Sequence, residues 1–140
     1  MDNTAKISPS LNSKTVLLVN DQIDVLTNIK SMLRTCGYSV DAFNDPLMAA
    51  EHFSRYSHNY GVVISDMAVP SMFGFEFIKQ VRVVNPEIVT FVITFADRVK
   101  EDNKDMLFES TIIELDGIIQ EPVLKDDLCR IVGSGMNTVE

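Results

Sequence analysis

The chain has 140 residues, enough to bury one sizeable core, and its length accommodates a single domain. Twenty acidic residues against twelve basic ones give a net charge of -8 with no Lys/Arg-rich stripe, which argues against a nucleic-acid partner. No apolar stretch is long enough to cross a bilayer and the first residues lack the blocks of a signal peptide, so no membrane association is expected and the expected location is cytoplasmic.

Residues 1–14 are rich in Ser, Asn, Asp and Lys and offer too few apolar side chains to offset the entropy of ordering, so they read as a flexible leader. Thr15 to Asn20 is a short, β-branched apolar run that predicts a central strand. Ile23, Leu26, Ile29, Lys30 and Leu33 then mark a helical stripe, and Gly37 ends it. Tyr38 to Phe43 alternates as a second strand, and Asn44-Asp45-Pro46 turns the chain into a helix from about Leu47 to Tyr56. Gly61 to Ser65 predicts the third strand. Phe75, Ile78, Val81 and Arg82 space out a helix that Asn85-Pro86 stops. Ile88 to Thr94 is the strongest strand signal in the chain. A charged helix near Arg98 to Phe108, a short strand at Gly117 to Gln120 and a last helix from about Leu124 to Val132 complete the pattern, with 133–140 read as a flexible tail.

Strict alternation of buried strands with amphipathic helices over 15–132 predicts an α/β fold with right-handed crossovers, a parallel sheet covered on both faces. Cys36 and Cys129 have neither metal-ligand spacing nor the density of a secreted scaffold, and read as two buried thiols. A bridge between them would require the first and last helices to share a sheet face.

Two apolar runs end in a carboxylate: Val16-Leu17-Leu18-Val19-Asn20-Asp21 and Gly61-Val62-Val63-Ile64-Ser65-Asp66. If both are strands of one parallel sheet, Asp21 and Asp66 lie on the rim where open α/β sheets place their chemistry. Two converging carboxylates are oxygen donors suited to Mg²⁺. Such an ion would screen a carboxylate attacking a phosphoryl group, a reaction that asks mainly for positioning and charge neutralisation.

These residues, and above all Val-Val-Ile-Ser-Asp-Met-Ala-Val-Pro-Ser-Met-Phe-Gly (62–74), resemble the receiver domains of two-component response regulators, including stand-alone chemotaxis-type receivers. The resemblance implies a flavodoxin-like three-layer sandwich, a five-stranded parallel sheet in the order 2-1-3-4-5 with helices on both faces. It implies a phosphoacceptor and signalling protein of a phosphorelay, rather than an enzyme acting on a separate substrate. Asp66 matches the phosphoacceptor, Asp21 the direct Mg²⁺ ligand, and Ala68 the residue whose backbone carbonyl completes the metal shell. Thr94 matches the switch hydroxyl, Pro122 the proline opening the last helix, and Gly74 the glycine after the loop. The implied partners are a histidine kinase or small phosphodonor and an unidentified downstream protein.

Three positions depart from the family's pattern. Asn20 stands where a second acid is usual, and an amide is left to hold a metal-bound water. Glu121 stands where a lysine usually pairs with the phosphoryl oxygens, exchanging attraction for a repulsion of several kcal/mol by order of magnitude at a partly buried site. Arg98, Lys100 or Lys125 are candidate substitutes, and Glu121 approaching the metal is another arrangement. Ile118 replaces the aromatic switch residue, and the segment from Thr94 to Glu121 is longer than usual. The alternative reading is therefore a pseudo-receiver, a protein-interaction module that works without phosphorylation.

Plainer readings exist for several residues. Asp66 could cap a turn, but that leaves the second rim carboxylate unexplained. His52 and His58 are read as surface residues, Met67, Met72 and Phe73 as filling under the loop, and the charges from Arg98 to Asp105 as a solvated helix face. A dehalogenase-like phosphatase would need a second acid in Asp66-Met67-Ala68. A flavodoxin would need a Ser/Thr/Gly phosphate loop where Asp21-Gln22-Ile23-Asp24 stands.

Overall fold

The computed structural model describes residues 15–67, 74–95 and 115–139. Its strands are β1 (Thr15–Val19), β2 (Ser39–Phe43), β3 (Tyr60–Asp66), β4 (Val89–Phe95) and β5 (Gly117–Glu121). They form one sheet in the order β2-β1-β3-β4-β5, each neighbouring pair parallel. The described helices are α1 (Ile23–Thr35), α2 (Pro46–Tyr56), α3 (Gly74–Val84) and α4 (Lys125–Val139), with a single 3-10 turn at Ser57–Asn59.

Side-chain alternation along the strands builds two cores. Val16, Leu18, Val62, Ile64 and Ile93 face α1 and α4, where they meet Leu26, Ile29, Leu33, Leu128, Val132 and Met136. Leu17, Val19, Val63 and Val92 face α2 and α3, where they meet Phe53, Phe77, Ile78 and Val81. A sheet buried on both faces is why its central strands read as unbroken apolar runs.

Local chemistry sets the helix ends. Asp45 Oδ1 accepts the Leu47 N–H at 3.0 Å, with Pro46 in the first helical turn. At the end of α1, Gly37 takes φ 100° while its N–H donates to the Arg34 carbonyl and the Tyr38 N–H to the Leu33 carbonyl. That pairing is a Schellman motif, and its left-handed residue is the reason for glycine there.

Several expectations are corrected. Cys36 and Cys129 are not separate thiols: they form a disulfide, with Cα atoms 5.6 Å apart, because α1 and α4 do share a sheet face. The last helix does not stop at Val132 but continues to Val139, with Gly135 and Met136 buried, so most of the anticipated tail is helix. Ile23 opens α1 but is exposed, whereas Phe77, outside the predicted stripe, is fully buried. Arg82 sits on its stripe as a clip rather than as core: it donates to the Pro86 carbonyl, to Thr90 Oγ1 and to Asp116 Oδ2, tying α3 to the starts of β4 and β5. The expected leader and the expected helix near Arg98 to Phe108 lie outside the described residues.

On the α2 side, the buried Tyr60 hydroxyl donates to Asp41 Oδ2 at 2.6 Å, and burial followed by that carboxylate holds the phenol well above its ordinary value. A raised pKa means the folded chain favours the protonated phenol. The stabilisation is therefore complete below the ordinary value of about 10 and is lost as pH rises beyond it, by up to ~1.4 kcal/mol per pH unit. Denaturant titrations between pH 9 and 11 (about one unit either side of that value) should find the stability gap between the native chain and Tyr60→Phe narrowing with pH. A constant gap would remove Tyr60 from the alkaline response.

Candidate functional site

The register brings the carboxyl ends of β1, β3, β4 and β5 to one rim. Val19 pairs with Ser65, so Asn20 and Asp66 each follow a matched pair. Asp66 pairs with Ile93, and the Met67 N–H donates to the Ile93 carbonyl at 3.0 Å, which puts Thr94 one residue beyond Asp66's partner. Thr94 in turn pairs with Gln120, and Phe95 with Glu121. Asn20, Asp21, Asp66, Thr94 and Glu121 thus share one edge; Ala68 lies outside the described residues.

The polar groups at this edge divide by what they bond. Asn20 is only 2 % exposed; its backbone N–H donates to the Phe43 carbonyl and its Oδ1 accepts the Gln22 N–H at 2.9 Å, so the amide braces the turn that carries Asp21. Ser65 is buried, and its hydroxyl donates to the Asp66 carbonyl at 2.9 Å. Asp21, Asp66 and Glu121 are half-buried. Thr94 differs from all of these. It is 2 % exposed, and its Oγ1 has no hydrogen-bond partner among the described residues.

A buried hydroxyl without a partner costs on the order of 1–3 kcal/mol, so its retention at a rim lined by acids points to a ligand acceptor that pairs with it. The donor set fits a hard dication: carboxylate oxygens dominate it, and Mg²⁺ is commonly held by one or two carboxylates with waters filling the remaining positions. Among the described residues no three His, Cys, Asp or Glu side chains form a metal-holding group, in keeping with an amide at position 20. Ser65 was not singled out from sequence, although a lone hydroxyl at the end of an apolar run, next to an acid, is a legible sign of a polar rim.

Pro122 follows Glu121 across a cis peptide and precedes α4, at the position expected from sequence. His52, on α2, packs its ring against Phe43 of β2 and Tyr56 of α2. Lys125, one of the candidate substitute cations, opens α4 four residues after Glu121 and is exposed. Arg98 and Lys100 lie outside the described residues. Among the described residues no helix is long and apolar enough to cross a membrane.

Comparison with known proteins gives this edge a family. The family model of the response regulator receiver domain matches residues 16–133. Regulatory protein VanRB of Enterococcus faecalis is 27 % identical over 107 residues, covering 76 % of this chain and 45 % of that protein. The two-component response regulator-like APRR9 of Arabidopsis thaliana is 35 % identical over 66 residues, covering 47 % and 14 %. The chain thus spans less than half the length of these curated relatives. Chemotaxis protein CheY4 of Vibrio cholerae has the same fold, with a TM-score of 0.74 at 24 % identity, 86 % of this chain and 96 % of that one being covered. So has the receiver domain of sensor histidine kinase PA1611 of Pseudomonas aeruginosa, solved with a magnesium ion coordinated in its active site cleft: TM-score 0.76, 21 % identity, coverage 89 % and 98 %. The chain belongs to the response regulator receiver family, a phosphoacceptor and signalling module of two-component systems.

The orphaned hydroxyl has a consequence for stability. Thr94→Val replaces it with a methyl group of similar shape, and chemical denaturation should find the variant more stable by about 1–2 kcal/mol. A destabilised variant would mean that the hydroxyl is already satisfied in solution.

Proposed function

We propose that this receiver domain accepts a phosphoryl group on Asp66, from a histidine kinase or a small phosphodonor, and passes the altered rim to a protein partner. The observation that carries this reading is the buried, unpartnered Thr94 hydroxyl on the rim that also holds Asp66 and Asp21. An oxygen of the new group would satisfy that hydroxyl, so modification would convert an energetic penalty into a hydrogen bond and shift the conformation around β4.

In the transfer, an Asp66 carboxylate oxygen forms a bond to phosphorus as the donor's own bond to phosphorus breaks, the leaving group keeping that electron pair. Asp21 and Asp66, with the Ala68 carbonyl, would hold Mg²⁺, and the Asn20 amide would hold one of its waters. When bound, that ion neutralises charge between the carboxylate and the incoming phosphoryl group. Ser65, by fixing the Asp66 carbonyl, limits the freedom of the acid and favours one attacking geometry. The magnesium ion in the cleft of the Pseudomonas aeruginosa receiver supports this use of the rim. Two exposed apolar side chains flank it in sequence, Ile23 at 55 % and Leu124 at 60 %, and offer a protein partner a dry contact beside the acids.

The second reading is a pseudo-receiver working without phosphorylation, and Glu121 on the rim is what favours it. Mass spectrometry after incubation with Mg²⁺ and acetyl phosphate separates the two. The first reading expects one added phosphoryl group, absent in Asp66→Asn and absent without Mg²⁺, with amide NMR shifts centred on Thr94. An inert chain supports the second, and modification that persists in Asp66→Asn overturns Asp66 as the acceptor. Glu121→Lys should raise the modified fraction about tenfold by trading repulsion for attraction; an unchanged fraction would show that Glu121 does not act on the phosphoryl group.

A further inference from the structure

We propose that Cys36 and Cys129 form a reversible thiol–disulfide site that ties the last helix to the first, so that the redox surroundings of the protein set how firmly the rim end of α4 is held. The bond joins the residue capping α1 to the second turn of α4, across 93 residues of sequence, with Cα atoms 5.6 Å apart. Both cysteines are partly exposed rather than sealed in the core, so a small thiol or disulfide can reach them. This inference stands apart from the phosphoacceptor reading.

The tie matters because α4 is a weak helix by itself. Gly133, Ser134 and Gly135 sit in its interior, and each glycine there costs on the order of 1 kcal/mol of helix propensity. The same glycines let α4 lie close. A Cβ at Gly133 would come within 3.1 Å of the Tyr38 hydroxyl, and one at Gly135 within 3.0 Å of Val89 Cγ1 and 3.2 Å of the Phe91 ring. The helix is therefore ordered by docking rather than by its own sequence, and a covalent link four residues after Lys125 holds the end next to Glu121 and Pro122. Beside that bond, the apolar packing of Leu128, Val132 and Met136 keeps α4 on the sheet.

The step is an exchange with a small-molecule disulfide such as glutathione disulfide. One protein thiolate attacks a sulfur of glutathione disulfide, forming a mixed disulfide and releasing one glutathione thiolate; the other protein thiolate attacks the protein sulfur of that mixed disulfide, forming the protein S–S bond and releasing the second glutathione thiolate. Reduction reverses every bond change. Besides fastening α4 in the folded protein, a bond across 93 residues also restricts the unfolded chain.

The full chain, equilibrated in mixtures of reduced and oxidised glutathione, quenched by alkylation and weighed by mass spectrometry, should convert between a two-thiol form and an intramolecular disulfide lacking glutathione. Reduction should lower Tm by about 10 °C, and should raise amide hydrogen exchange in α4 and at the end of α1 more than in α2 or α3. Cys129→Ser under oxidising conditions should match the reduced native chain in Tm and exchange, tying both effects to the bond. Cysteines that stay alkylatable in every mixture, bonds formed only between chains, or equal Tm and exchange in the two states would overturn the proposal.

Discussion

Parallel pairing of β1, β3, β4 and β5 in their observed register is the constraint on which the remainder of the molecule rests. Parallel strands need crossover helices, the crossovers cover both faces, and a sheet covered on both faces leaves only its ends for polar chemistry. The matched pairs Val19 with Ser65, Asp66 with Ile93 and Phe95 with Glu121 then bring four strand ends to the same level. A slip of one residue in β3 would turn Asp66 toward the opposite face and bring Ser65 or Met67 to its place. The alternating apolar sets of Leu17 and Val19 against Val16 and Leu18 make such a slip costly.

Within that frame the rim is arranged at some expense to stability. Asn20, Ser65 and Thr94 are polar and nearly inaccessible where an ordinary core would bring more valine or isoleucine. Asn20 and Ser65 repay their burial by bonding the backbone on either side of the two acids. Thr94 does not, among the described residues, and a fold that keeps an unsatisfied hydroxyl in that position is giving up stability that a single methyl group would restore. At the opposite end of the sheet Arg82, Thr90 and Asp116 bond one another and hold the starts of β4 and β5 together.

Strands and helix starts were legible because one physical signal dominated each: unbroken β-branched runs for β1, β3 and β4, and Asp45-Pro46 and Gly37 at helix ends. Asp21, Asp66 and Thr94 were legible as strand-end residues, since the order of elements alone sends them to one rim. The rest depended on what packs against what. The polar, glycine-containing run from Gly133 reads as a flexible tail because propensity is local, yet α4 continues through it, with Gly133 lying close to Tyr38 and Gly135 close to Val89 and Phe91. The Cys36–Cys129 pairing turns on α1 and α4 sharing a face, which spacing along the chain does not encode. Arg82 occupied an apolar stripe position, and its bonds to the Pro86 carbonyl, Thr90 Oγ1 and Asp116 Oδ2 reveal it as a polar clip.

Glu121 stands where the resemblance to receivers implies a lysine, and the sheet explains why that departure is local. Its backbone completes the pairing of β5 with β4 opposite Phe95, so the strand places whichever side chain stands there beside the end of β4. On the proposed reading, a cation at that position would draw a phosphoryl oxygen toward the sheet, whereas an anion would push it toward the Thr94 hydroxyl and a dication held by Asp21 and Asp66. Such a repulsion would act on the orientation of the group as well as on its affinity, and would increase the dependence of charge neutralisation on a metal. A receiver built this way would give its modified state a shorter lifetime or a stricter metal requirement than one with a lysine there, without losing the geometry that the register imposes.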